Sequence, residues 1–142
     1  MFFGQFNHIL DDKNRLMIPR RMRDEAGIKL FILRGFDGCL SVYKAISFEN
    51  IVKNISTLPF NQKDSRDYIR NQLASAYEID VDKQGRIQIP TQIMNKYQIS
   101  KEVVVIGVGD HFEIWNADKY YAYEKQVDES FEAIAEKISF DK

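Results

Sequence analysis

Two arginines stand at the same place in two copies of one short pattern. Residues 11–19 read D-D-K-N-R-L-M-I-P, and residues 82–90 read D-K-Q-G-R-I-Q-I-P. Each copy is an aspartate, three turn-forming residues, an arginine, alternating apolar positions and a proline. Asp11, Arg15 and Pro19 recur as Asp82, Arg86 and Pro90, a displacement of half the 142-residue chain. A guanidinium is a planar fork of donors that can grip a phosphate or the edge of a guanine with two parallel hydrogen bonds. Around each arginine the turn supplies further polar groups, Lys13 and Asn14 in the first copy and Lys83 and Gln84 in the second. Polar and cationic groups at the tip of a rigid hairpin suit contact with nucleic acid. The same residues also allow a purely structural role. Asp11–Arg15 and Asp82–Arg86 can be ion pairs clasping each turn, worth about 0–1 kcal/mol apiece at a surface. The motif alone supports both, and they are compatible, because an aspartate that fixes an arginine's rotamer preorganises it for a ligand. Asp11 and Asp82 are therefore read as turn braces, and Arg15 and Arg86 as ligand contacts.

The first copy is the more basic. From Lys13 to Arg23 it carries Lys13, Arg15, Arg20, Arg21 and Arg23 with no acid among them, which favours Arg15 over Arg86 as the principal contact. The second copy has Lys83 and Arg86, then Lys96. Lys13, Arg20, Arg21, Arg23 and Lys83 are expected mostly to bind phosphates and set position. The whole chain hides this, with 20 Lys and Arg against 21 Asp and Glu, because six acids against three lysines follow from Glu124 onward.

Other chemistry has little to stand on. His8 and His111 lack acidic or cysteine partners at ligand spacing, so no metal site is expected. Cys39 opens an apolar stretch with no histidine beside it and reads as a core residue. A single cysteine permits no internal disulfide, and no glycine-rich phosphate loop is present. An enzyme, a cofactor and a small-molecule substrate are not expected. The apolar runs are strand length, too short to span a bilayer, and the N-terminal residues lack the form of a signal peptide. A cytoplasmic protein is the expectation.

The elements that must position the arginines follow from punctuation. Residues 8–10 form a strand, 11–14 a turn, and 15–18 a strand with Leu16 and Ile18 on one face and Arg15 and Met17 on the other. Pro19 opens a short helix over 20–26 that ends at Gly27. Strands follow over 30–34 and 39–43, joined through Asp37-Gly38, then a helix over 47–57. Leu58-Pro59-Phe60-Asn61 breaks it, and a helix over 65–76 follows, capped by Asp64 or Ser65. The order then repeats, with strands at 77–81, 86–89, 103–108 and 112–115, a short helix after Pro90, and a last helix from Ala117 to about Ile138. That helix carries Val127, Phe131, Ile134 and Ile138 on one stripe. Beyond the motif, Phe31 aligns with Val103 and Cys39 with His111. Trp115 and Tyr43 hold matching positions and are read as packing, while Tyr120, Tyr121 and Tyr123 suit either a subunit interface or packing on the chain's own sheet. Four short strands bury both faces poorly alone. An α+β chain is therefore expected, mainly a β-barrel core made by interleaving two halves, with peripheral helices. The boundaries are 1–58 for the first half, 59–76 for the linker and connecting helix, and 77–142 for the second half.

A duplicated D-x-x-x-R motif in a chain of this size, with proline after the second strand and F-E-I-W near the end, resembles the MraZ family. This is a group of bacterial transcriptional regulators encoded with division and cell-wall genes, and a tandem-repeat relative of AbrB-type proteins. The resemblance covers the whole chain and implies a double-split, swapped-hairpin barrel. It also implies a closed, octamer-like homo-oligomeric ring, nucleoid-associated, that binds short direct repeats in double-stranded DNA upstream of its own operon. One position departs from the family's usual glycine, namely Asn14, while Gly85 keeps it. Asparagine tolerates a positive φ better than other non-glycine residues, so the turn is expected to survive. The competing reading from a different class is a ring-forming scaffold for protein partners, with the charge pairs serving only the turns.

Overall fold

In the computed structural model, described over residues 1–138, the two halves have the same element order. The first runs β1 (Phe2–Ile9), β2 (Arg15–Met17), α1 (Arg20–Ala26), β3 (Lys29–Arg34), β4 (Leu40–Lys44) and α2 (Ala45–Ile55). Helix α3 (Lys63–Ala74) intervenes. The second half runs β5 (Tyr77–Asp80), β6 (Arg86–Gln88), α4 (Thr91–Lys96), β7 (Glu102–Gly109), β8 (His111–Asn116) and α5 (Ala117–Lys137). The chain is thus α+β, with antiparallel pairing throughout.

The halves interleave. Six strands form one sheet in the order β1-β7-β8-β4-β3-β5, and β2 pairs with β6 in a separate ribbon. Within each half only the hairpins β3–β4 and β7–β8 pair internally; β1 joins β7, β5 joins β3, and β4 joins β8 across the halves. A pseudo-twofold axis exchanges the halves and passes between β4 and β8 and through the ribbon. Among the described residues no pairing joins the ribbon to the sheet or β1 to β5, so the sheet ends at those two strands and is not closed into a barrel.

The ribbon lies over one face of the sheet, and the core is what they enclose. Leu16, Ile18, Ile87 and Ile89 come from the ribbon and the residues just after it. Leu30, Ile32, Leu40, Val42, Val103, Val105, Phe112 and Ile114 come from the sheet. All twelve are at most 1% exposed. At about 1.5–3 kcal/mol for each fully buried large side chain, this shared core is what binds two halves that could not close one alone. Phe2 meets Phe112 edge to face at 5.4 Å and closes the β1 end.

The registers revise the internal alignment. His8 opposes Val103 on β7, and Ile79, its counterpart, opposes Leu30 on β3. Val103 is therefore equivalent to Leu30, not to Phe31. Matching one apolar run to another misses this, since both faces of β3 carry apolar side chains: Ile32 points into the core while Phe31 stacks on Phe48 of α2 at 4.3 Å. Three further expectations change. Helix α2 starts at Ala45, ahead of Ser47. Helix α3 starts at Lys63, with Gln62 at the cap position and no side-chain cap, so Asp64 lies in the first turn, where it favours the helix dipole. Along α5, Phe131 and Ile134 are exposed, and so is Ile138 just beyond it; the stripe does not cover the chain's own core. Tyr120 and Tyr123 pack against buried Trp115, with ring centroids 5.3 and 4.9 Å from its own, while Tyr123 stays exposed. No helix among the described residues is long and apolar enough to cross a membrane.

Candidate nucleic-acid interface

Each turn is built around its aspartate in the same way. In the first, Asp11 Oδ1 accepts the backbone N–H groups of Lys13 and Arg15, each at 2.9 Å, while Oδ2 accepts Arg15 Nε. In the second, Asp82 Oδ1 accepts the N–H groups of Gln84 and Arg86, both at 2.9 Å, and Oδ2 accepts Arg86 Nε at 2.8 Å. Backbone bonds close both loops, Asn14 N–H to the Asp11 carbonyl and Gly85 N–H to the Asp82 carbonyl, each 3.0 Å long. The geometry demands a positive φ at the last turn residue, and Asn14 and Gly85 supply it at 59° and 81°. Glycine has a second use at position 85. A Cβ there would lie 2.9 Å from Arg23 Cδ and Nε.

The bonds leave their mark on the carboxyl groups. Partial desolvation pushes Asp11 up, but the Arg15 N–H, the Arg15 guanidinium and the Lys13 N–H outweigh it and hold the group at about 2. Asp82 is lowered by the same set, led by the Arg86 N–H. Both aspartates are ionised at neutral pH and grip each arginine by its Nε edge. The outer Nη edge is left over: Arg15 Nη1 and Nη2 have no partner among the described residues, and Arg86 Nη2 has a long contact of 3.4 Å to Gln84 Oε1. Clasp and outward donor coexist on one side chain.

The two arginines share a surface. In the ribbon Arg15 opposes Gln88, Leu16 opposes Ile87 and Met17 opposes Arg86. Leu16 and Ile87 point into the core, which puts Arg15, Gln88, Met17 and Arg86 together on the outward face. Arg15 and Arg86 are diagonal neighbours two residues apart, roughly 7 Å along the strand direction. Lys13 lies exposed at one end of this ribbon, and Lys83 and Gln84 lie exposed at the other.

The remaining basic residues are distributed differently from their order in the chain. Arg23, on the helix after the first motif, packs across Gly85 in the second turn and donates Nε to the Ile18 carbonyl at 2.9 Å. Interleaving thereby moves part of the first copy's charge to the second turn. Arg21 lies with its guanidinium 5.3 Å from the Phe3 ring centroid, along β1, and Arg20 is exposed at the start of α1. The first turn receives instead Lys101, whose Nζ donates to the Asp11 carbonyl at 2.8 Å and to Asn14 Oδ1 at 2.7 Å. Neither Lys101 nor Gln88 was expected in the site. Gln88 sits inside the second motif copy, at the variable position on the arginine's face, and could have been found there. Lys101 has no local signal, since its place depends on strands from opposite halves meeting.

The other candidates lie apart from the ribbon. Cys39 is buried, its thiol pushed up by desolvation and by Glu113. His111 is stacked on Tyr43 at 4.3 Å, with Nδ1 2.7 Å from Asp110 Oδ1. Among the described residues no group of His, Cys, Asp and Glu side chains is placed to hold a metal ion.

Comparison with known proteins agrees with the internal repeat. A family model described as "MraZ protein, putative antitoxin-like" matches twice, over residues 1–71 and 73–140. The chain is 43% identical over 138 residues to a protein of Caldanaerobacter subterraneus subsp. tengcongensis named transcriptional regulator MraZ, covering 97% of this chain and 96% of that one. Proteins of the same name from Moorella thermoacetica (39% over 142 residues, 99% of both chains) and Lactiplantibacillus plantarum (38% over 138 residues, 97% and 98%) are similar to it along nearly their full lengths.

Proposed function

The chain belongs to the MraZ family, and from that membership and the ribbon geometry we propose that it is a transcriptional regulator that binds double-stranded DNA through the β2–β6 ribbon. The observation that carries this reading is the pair of arginines on one outward face, each held by its aspartate through Nε with the outer edge of the guanidinium unspent. A two-stranded ribbon fits the major groove, where an arginine fork matches the O6 and N7 acceptors of guanine. Lys13, Lys83, Asn14 and Gln84 at the ribbon's ends, with Arg23 at the second turn and Arg20 and Arg21 on α1, are assigned to phosphates and sugar edges, which fix the register.

One ribbon gives few contacts. Linking several in a closed homo-oligomer raises affinity without any new contact, and repeats spaced by about one helical turn, roughly 10 bp, would present one element to each protomer. Strands β1 and β5 end the sheet and offer unpaired backbone for such assembly. We read the interleaved sheet and its ribbon as the AbrB-type swapped-hairpin arrangement. The target is short direct repeats upstream of the protein's own division and cell-wall operon, in the nucleoid.

The test is a titration of labelled duplex from upstream of the gene against a scrambled duplex of equal composition. Preference for the natural duplex by about a thousandfold or more, typical of specific binding, is the expected result. An oligomer with no salt-sensitive DNA binding would replace this reading with that of a scaffold for protein partners.

A further inference from the structure

The ribbon is symmetric in its arginines and asymmetric in the residues that face them. The pseudo-twofold axis exchanges Arg15 with Arg86, and it also exchanges Gln88 with Met17, which occupy the same place in the two motif copies. The outward face therefore carries Arg15 beside Gln88 at one end and Arg86 beside Met17 at the other. These two side chains differ in what they can read. Gln88 is exposed, and its Nε2 donates to the Lys13 carbonyl at 3.0 Å. That bond uses one amide hydrogen and orients the group, leaving Oε1 and the second N–H. An acceptor and a donor side by side are what the N6 and N7 edge of adenine requires. Met17 offers no hydrogen bond, only a polarisable apolar surface suited to a thymine methyl group.

Resting on the reading that this ribbon enters the major groove, we propose that Gln88 and Met17 are base-reading residues, Gln88 taking an adenine, and that their difference gives each ribbon a direction on DNA. With the same residue at both ends, the ribbon would contact either strand direction alike and favour a palindromic element. With glutamine at one end and methionine at the other, the two directions are not equivalent, and a protomer can be aimed.

Selection from duplexes with a randomised window of about 20 bp, roughly two helical turns, tests this by sequencing the bound fraction of the full-length protein. Three variants run beside the wild type. Gln88→Lys keeps a donor for the Lys13 carbonyl but removes the acceptor, and lysine pairs with guanine. The expected result is guanine in place of adenine at one position, by about 5- to 150-fold. Met17→Gln is expected to gain an adenine preference on the complementary strand, at the position related to the first by the ribbon's pseudo-twofold. If Gln88→Lys selects the wild-type sequences, or weakens all sequences equally, Gln88 only braces Lys13 and the inference is overturned. Arg15→Ala separates the two levels. If it too leaves selection and affinity unchanged, the ribbon is not the DNA-binding surface at all.

Discussion

The aspartate and arginine of each motif divide one task between them. Nε of each arginine is committed to the fold, and the outer edge of the guanidinium is available to a ligand. The division has a consequence in acid. The folded-state pKa of Asp11 is about 2 against an ordinary 3.8, so its ionised form stabilises the fold at all pH values above the ordinary one. That contribution is lost as pH falls from about 4 through about 2, and Asp82 acts in the same direction. Thermal unfolding followed across that window should show Tm of the wild type falling more steeply than that of Asp11→Asn, which has no such proton to take up. Parallel profiles would mean that the turn does not depend on the carboxylate. At this scale much was legible, because an aspartate, a positive-φ residue and an arginine at fixed spacing form a local device that needs no knowledge of the rest. Asn14 in the left-handed region at 59° bears this out. What was not legible is Lys101, whose amine reaches Asn14 Oδ1 from the other half of the chain.

At the scale of elements, two glycines decide whether strands and turns can come together. Gly85 combines φ of 81° with close contact to Arg23, so Gly85→Ala should cost about 1–3 kcal/mol. DNA binding should weaken more than heat stability alone explains, since the second turn carries Arg86. At Gly107 the problem is space. A Cβ there would stand 2.2–2.5 Å from the backbone of Phe2 and Phe3, so Gly107→Ala must push β1 off β7, at about 3 kcal/mol or more. Denaturant unfolding of the two variants checks both, and a wild-type midpoint for Gly107→Ala would contradict the β1–β7 register. The order of strands and helices could be read from prolines, glycines and alternation, with ends displaced by a residue or two, except that the first strand, expected over 8–10, runs over Phe2–Ile9. The pairing of β3 could not, since apolar residues on both of its faces make Phe31 and Leu30 equally good matches for Val103. The exposed end of α5 misleads for the opposite reason: a helical stripe marks an apolar face without saying what covers it.

The whole molecule is one core made by two halves, each of which holds only one hairpin of its own and finds the partners of its other strands in the opposite half. Each half expressed alone should stay unfolded by circular dichroism, and mixing the two should restore the signal, because β1, β4 and β5 all pair across the halves. A half that folds unaided would show that the repeat is two domains. Interleaving also explains how a chain of formal charge −1 can present a basic face, as it gathers Arg15, Arg86, Lys13, Lys83 and Arg23 around one ribbon while the acidic helix α5 packs on β7 and β8. The central claim is that this ribbon is the surface that meets DNA. Its most direct test is the salt dependence of binding to the upstream duplex, for the wild type and for the Arg15→Ala, Arg86→Ala double variant. The logarithm of affinity falls with the logarithm of salt by about 0.9 for each phosphate neutralised. The double variant should lose affinity by about a hundredfold or more, as two base contacts of about 1–3 kcal/mol each disappear. It should also bind the upstream and scrambled duplexes nearly alike, with a salt slope no steeper than that of the wild type. Wild-type affinity and wild-type preference in the folded double variant would contradict it.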